Sequence, residues 1–179
     1  MAPRRGPEPS GPSEYRGRVV RVRRERHRLP DGREAALDVV RYRDVVTVVP
    51  LLDDGRVVLL RQYRPIVAAE LWELPAGTLE PGESPEAAAR RELREEAGYD
   101  AARLEPLGQA LADPGLTDER IFLFVARDLR PAVRALDADE HIEVVPVARE
   151  DAYRMAATGE ILDAGSVIAL LRLRARPGA

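Results

Sequence analysis

From Gly77 to Tyr99 the chain reads GTLEPGESPEAAARRELREEAGY, which sets Glu92, Glu95 and Glu96 within little more than one helical turn. The segment predicts a loop entering a short helix. Ser84 can accept from the first backbone N–H groups, Pro85 suits the first turn, and Gly98 supplies a left-handed stop. With Leu93 at zero and about 100° per residue, Glu95, Glu92 and Glu96 fall near about 200, 260 and 300°. The three carboxylates share one face, while Ala89, Leu93 and Ala97 form an apolar stripe for packing. Like charges at this spacing cost about 0.2–0.5 kcal/mol each, and a hard divalent cation would offset that. Mg2+ prefers carboxylate and carbonyl oxygens and bridges protein acids to substrate phosphates. The alternative is a solvated face laced with salt bridges from Arg90, Arg91 and Arg94.

The spacing of Gly77, Glu83, Arg91, Glu92, Leu93, Glu95, Glu96 and Gly98 resembles the Nudix box, departing only at its last position, usually aliphatic and here Tyr99. The resemblance implies hydrolysis of a nucleoside diphosphate linked to another group, by water activated on a metal. It implies Glu92 and Glu96 as first metal ligands, Glu95 next, and the Ala76 carbonyl completing the set. Glu83 and Arg91 then form a supporting ion pair, and Mg2+ is the expected ion, with Mn2+ as a substitute.

Outside the box, PGLTDE resembles a substrate loop of the ADP-ribose pyrophosphatase branch, which implies contacts from Pro114, Gly115 and Glu119. An ordinary proline turn with Asp118 and Glu119 solvated is the other reading. By the same resemblance Arg64, in RQYR, touches a substrate phosphate. LDADEHIEVV is similar to the branch's acidic loop, making Glu140 the candidate to activate water alongside Glu95 and Glu96, with Asp139 as a substitute. His141 has a suitable pKa for acid–base work but reads equally as a surface residue. Tyr15, Tyr42 and Arg43 are candidates for the nucleobase, and Trp72 reads as core. Where the branch carries a His-Pro-Gly-like turn, this chain has YRD. The resemblance implies ADP-ribose cleaved to AMP and ribose 5-phosphate; GDP- or UDP-sugar hydrolysis and a non-catalytic ADP-ribose sensor are the rivals.

Positioning these groups falls to a set of strands. Alternating arginine and valine from Gly17 to Arg26, the LPDGR turn and Ala36 to Tyr42 predict a β-hairpin. Val45–Leu52 and Arg56–Tyr63, joined through Asp53, Asp54 and Gly55, predict a second, the first of its strands buried on both faces. Further strands are expected at LWEL, Ile121–Ala126 and Ile142–Val147, and helices at REDAYRMAA and from Ala164 to Arg174. The mixture implies an α+β fold, with a mixed β-sheet sandwiched between helices and an N-terminal antiparallel hairpin; the resemblance implies the Nudix fold. The expected organisation is a disordered tail over 1–14, a β-element over 15–43 serving dimerisation and base binding, and a hydrolase domain over 44–179.

A net charge of -3 without a basic block offers no footprint for nucleic acid. Lysine is absent, and genome composition accounts most simply for a chain whose basic residues are all arginine. Cysteine is absent too, excluding disulfides, thiolate metal sites and cysteine nucleophiles and fitting the cytoplasm. No secretory apolar segment and no membrane span is expected. A marginal two-stranded ribbon must pack on something, so a homodimer through the N-terminal hairpins is expected.

Overall fold

The computed structural model describes residues 14–136 and 141–177. Glu140, Asp139 and nearly all of the expected tail lie outside them. The described residues form two compact units, one of residues 14–44 and 111–120, the other of residues 45–110, 121–136 and 141–177.

In the first unit β1 (Tyr15–Arg16), β2 (Val20–Arg28) and β3 (Glu34–Tyr42) form an antiparallel sheet in that order. The expected hairpin is therefore a three-stranded ribbon, since Tyr15 and Arg16 pair with Val22 and Arg21. Leu111–Arg120 belongs to this unit rather than to the one that flanks it in sequence.

The second unit is α+β. A mixed sheet runs β7 (Ala76–Thr78), β4 (Val45–Pro50), β9 (Arg120–Pro131), β8 (Tyr99–Leu111), with β4 and β9 parallel. A separate antiparallel sheet runs β10 (Ile142–Ala148), β5 (Arg56–Arg64), β6 (Ala69–Glu73). Thus β4 and β5 do not form the expected hairpin. The turn between them is real, closed by Leu52 N–H to Arg56 O and Gly55 N–H to Leu52 O, both at 2.9 Å. Beyond one bridge, Leu51 to Val57, the strands part into different sheets. Both are apolar on both faces, so each takes a central position with two other neighbours.

Side-chain alternation sends successive residues to opposite faces and divides the core in two. Val49, Leu51, Val57, Leu59, Leu123 and Val125 pack with α2 (Arg149–Thr158) and α3 (Ala164–Ala175). Val46, Val48, Val58, Leu60, Phe124 and Ala126 pack with α1 (Pro85–Glu92) and the turn that extends it. At the head of α3, Asp163 accepts from Ser166 N–H at 2.8 Å, and Ser166 Oγ accepts Leu74 N–H at 2.8 Å. That bond ties the strand leading into the box to the helix behind it.

Candidate active site

The box is assembled within the second unit from β7, the loop after it and α1. Ala76 and Gly77 are held as strand residues by pairing with Thr47 and Val46 of β4. Ser84 Oγ accepts Ala87 N–H at 3.2 Å and Pro85 opens the helix. Ala89, Leu93 and Ala97 are all buried, as the stripe requires. Gly98 closes the segment in the left-handed region at φ 75°, ψ 35°.

The helix is not regular to its end. Leu93–Ala97 forms a π turn, and Gly98 N–H reaches back to both Arg94 O and Leu93 O. Such turns carry an i→i+5 bond and concentrate at functional sites. The step of about 100° per residue therefore applies to α1, and the turn carrying Glu95 and Glu96 is wider, while Arg91 Nη1 reaches both Glu92 and Glu95.

Each acid has a defined setting. Glu92 is buried against the backbone of Gly77, where an added Cβ would lie 1.9 Å from Glu92 Oε1. Glu96 is buried as well, its Oε2 accepting Ala76 N–H at 2.8 Å. Glu95 is part-exposed. Arg91 joins the group, giving Nη1 to Glu92 Oε1 at 2.7 Å and to Glu95 Oε2 at 3.0 Å. Its Nε and Nη2 grip Glu83 Oε1 and Oε2, both at 3.0 Å, and Nη2 also reaches Thr78 O at 3.1 Å. The hydrogen bonds from Arg91 hold the Glu83 carboxyl below the usual carboxylate range against the effect of burial. The bond to Glu83, together with Glu92 and Glu95, pushes the Arg91 guanidinium well above its ordinary value. The salt-bridged reading of this face thus comes down to Arg91, since Arg90 donates to Ala101 O and Arg94 pairs with Asp100.

The donors fit a hard cation: all are carboxylate or backbone oxygens, and soft ligands are missing from the group. Among the described residues no three acids already stand together as a ready ligand set. Arg91 holds Glu92 and Glu95, and the Ala76 N–H holds Glu96. A cation would take Glu92 and Glu95 in competition with the Nη1 of Arg91.

Arg64 lies in the same unit and is locked by Glu73, Nε to Oε1 at 2.9 Å and Nη2 to Oε2 at 2.5 Å. The bond to Glu73 raises the Arg64 guanidinium above its ordinary value against burial, and Glu96 and Asp163 add to the effect. Arg64 therefore feels the charge of a box acid. Glu73, 4% exposed, was not foreseen; the signal was an acid inside the otherwise apolar LWEL, on the strand that pairs directly with the one carrying RQYR. Trp72 packs against the core with Arg61 over its ring at 5.8 Å.

The remaining candidates belong to the first unit, except His141, which lies in the second. Pro114 is exposed, and Gly115 N–H donates to Asp113 Oδ1 at 3.2 Å. Burial, then Asp44 and Asp118, push the Glu119 carboxyl above its usual range. Arg43 and Tyr42 are half-buried, while Tyr15 and His141 are exposed.

Residues 41–168 match the NUDIX domain, a span containing the packed box, Arg64 and the Leu111–Arg120 segment. The chain belongs to the NUDIX family. Within it, the chain is 35% identical to an ADP-ribose pyrophosphatase of Bacillus subtilis over 89% of this chain and 88% of that one. It is 34% identical to a methanol dehydrogenase activator of Bacillus methanolicus, again over 89% and 88%. The solved structure of an ADP compounds hydrolase superposes with a TM-score of 0.80 at 26% identity, covering 92% of this chain and 89% of that one. The α+β NUDIX fold anticipated from the sequence is the fold observed.

Proposed function

We propose that this NUDIX protein hydrolyses the pyrophosphate bond of ADP-ribose to AMP and ribose 5-phosphate, using Mg2+, with Mn2+ as a substitute. The observation that carries the reading is the packed box, in which Gly77 makes room for Glu92, Ala76 N–H holds Glu96, and Arg91 links Glu83, Glu92 and Glu95. Glu92 and Glu96, then Glu95, with the Ala76 carbonyl, would hold the cation. Bound there, it supplies neutralisation of the diphosphate oxygens and a lowered pKa for water.

The chain's own groups do the rest. Arg64 presents a guanidinium already oriented by Glu73, and such a fork suits phosphate. Glu140 is the proposed base for the attacking water, supported by Glu95 and Glu96. Pro114, Gly115, Glu119 and Arg43 contact the nucleotide. The names of the Bacillus subtilis relative and of the solved structure favour an ADP-linked substrate over a GDP- or UDP-sugar. The enzyme is proposed to work as a homodimer through its N-terminal strands. No helix among the described residues is long and apolar enough to cross a membrane, and a chain without cysteine suits the cytoplasm.

The test is a panel of ADP-ribose, GDP-sugars and UDP-sugars with Mg2+, read as release of phosphomonoester. Preferential turnover of ADP-ribose is expected. Preference for a GDP- or UDP-sugar would overturn the substrate, and tight ADP-ribose binding without turnover of any member would replace the enzyme with a sensor.

A further inference from the structure

A chain of ion pairs in the first unit ties Leu111–Arg120 to the N-terminal strands. Arg41, on β3, grips Glu25 of β2 through Nε to Oε1 at 3.1 Å and Nη2 to Oε2 at 2.6 Å. Its Nη1 extends to Asp118 Oδ2 at 2.8 Å. The side chains of Glu25, Arg41 and Asp118 are 3, 12 and 18% exposed. Backbone bonds run beside them: Val40 N–H donates to Leu116 O at 2.9 Å, and Arg120 N–H donates to Asp44 Oδ1 at 3.2 Å. Val40 and Thr117 also form a parallel bridge.

Burying such a group for stability alone is a poor bargain, because apolar residues of similar volume serve as well or better. What the arrangement supplies is direction. Two bonds to Glu25 fix the plane of the guanidinium, and a fixed plane dictates where the third arm can meet Asp118. We propose that Arg41, oriented by Glu25, is a positioning residue that fixes Leu111–Arg120 through Asp118 and thereby sets affinity for the nucleotide without touching it. The link to affinity rests on the reading above, in which Pro114, Gly115 and Glu119 on this segment contact substrate.

Asp118→Asn tests this in the full chain, because it leaves Arg41 paired with buried Glu25. The amide of Val40, whose acceptor is Leu116 O, should exchange hydrogen about tenfold faster, the factor carried by about 1.4 kcal/mol. The KM for ADP-ribose should rise by a similar factor with kcat within about twofold, since the segment positions substrate and takes no part in the chemistry. Arg41→Lys, which keeps the charge but loses the fork, should behave the same way and substitutes as the test should Asp118→Asn not fold. Unchanged exchange at Val40 and Thr117 in a folded variant would overturn the clamp whatever the activity. Faster exchange with unchanged KM would overturn its link to substrate. Absence of ADP-ribose turnover in the unaltered protein would instead strike the proposed function, leaving the exchange result to decide the clamp.

Discussion

Gly77→Ala puts a methyl carbon 1.9 Å from Glu92 Oε1, 2.2 Å from its Cδ and 2.6 Å from Oε2. Real Cβ contacts essentially never fall under 3.0 Å, so the carboxylate must withdraw by more than about 1 Å. Withdrawal breaks the 2.7 Å bond from Arg91, and a charged hydrogen bond is worth about 1.5–3 kcal/mol. Forcing Glu92 off its rotamer adds about 0.5–1.5 kcal/mol. At about 2–4 °C of Tm per kcal/mol for a chain of this size, the variant should melt earlier yet stay folded at 25 °C. Its kcat on ADP-ribose should fall about 100-fold, the cost typical of a misplacement of about 1 Å. Gly82→Ala is the control: unlike Gly77, Gly82 has a positive φ, at 82°, and nothing lies within 4 Å of an added Cβ. Strain of about 1–2 kcal/mol should lower its Tm without lowering kcat. A Gly77→Ala enzyme within about threefold of the parent in kcat, roughly 0.7 kcal/mol of barrier, would refute the reasoning, as would equal loss of activity in Gly82→Ala.

Glu96→Gln keeps an oxygen to accept Ala76 N–H, so Tm should hold while kcat falls steeply; activity within about threefold of the parent would remove Glu96 from the site. Glu83 should make stability pH-dependent. Because Arg91 depresses its pKa in the folded state, its contribution is complete above the unfolded carboxylate's pKa and disappears as pH falls through the folded one. The Tm gap between parent and Glu83→Gln should therefore close between pH 7 and pH 3, a gap constant with pH counting against it. Arg64→Met strands the buried Glu73 carboxylate at a cost of about 3–5 kcal/mol. That variant should therefore melt earlier than the parent, and an unchanged Tm would count against the pair as a structural lock.

The parts of the site written as local pattern were legible in the sequence. Ser84 and Gly98 act through bonds to residues a few positions away, Pro85 acts through its fixed backbone angle, and the burial of Ala89, Leu93 and Ala97 follows from helical period alone. What was not legible depends on partners distant in the chain. The turn at Asp53–Gly55 forms as read, but whether two apolar strands pair with each other or with β7, β9, β6 and β10 is decided by their neighbours. The long strand β8 was missed because Pro106 and Gly108 interrupt it and β-branched residues are absent from YDAARLEPLGQAL. The π turn at Leu93–Ala97 follows no residue-type rule. Glu73 shows its purpose only beside Arg64, and Asp118 only beside Arg41, a partner 77 residues away. The boundary at residue 43 likewise misses that Leu111–Arg120 joins the N-terminal strands.

Arg91 makes the acidic helix face self-sufficient. Its guanidinium already sits between Glu83, Glu92 and Glu95, so the concentrated negative charge meets a resident counter-charge as the chain folds. Folding is therefore expected not to wait for a cation, unlike in small metal-nucleated domains whose folded state depends on the ion. Chelation should accordingly silence such an enzyme without unfolding it, and returning the cation should restore activity without a refolding step.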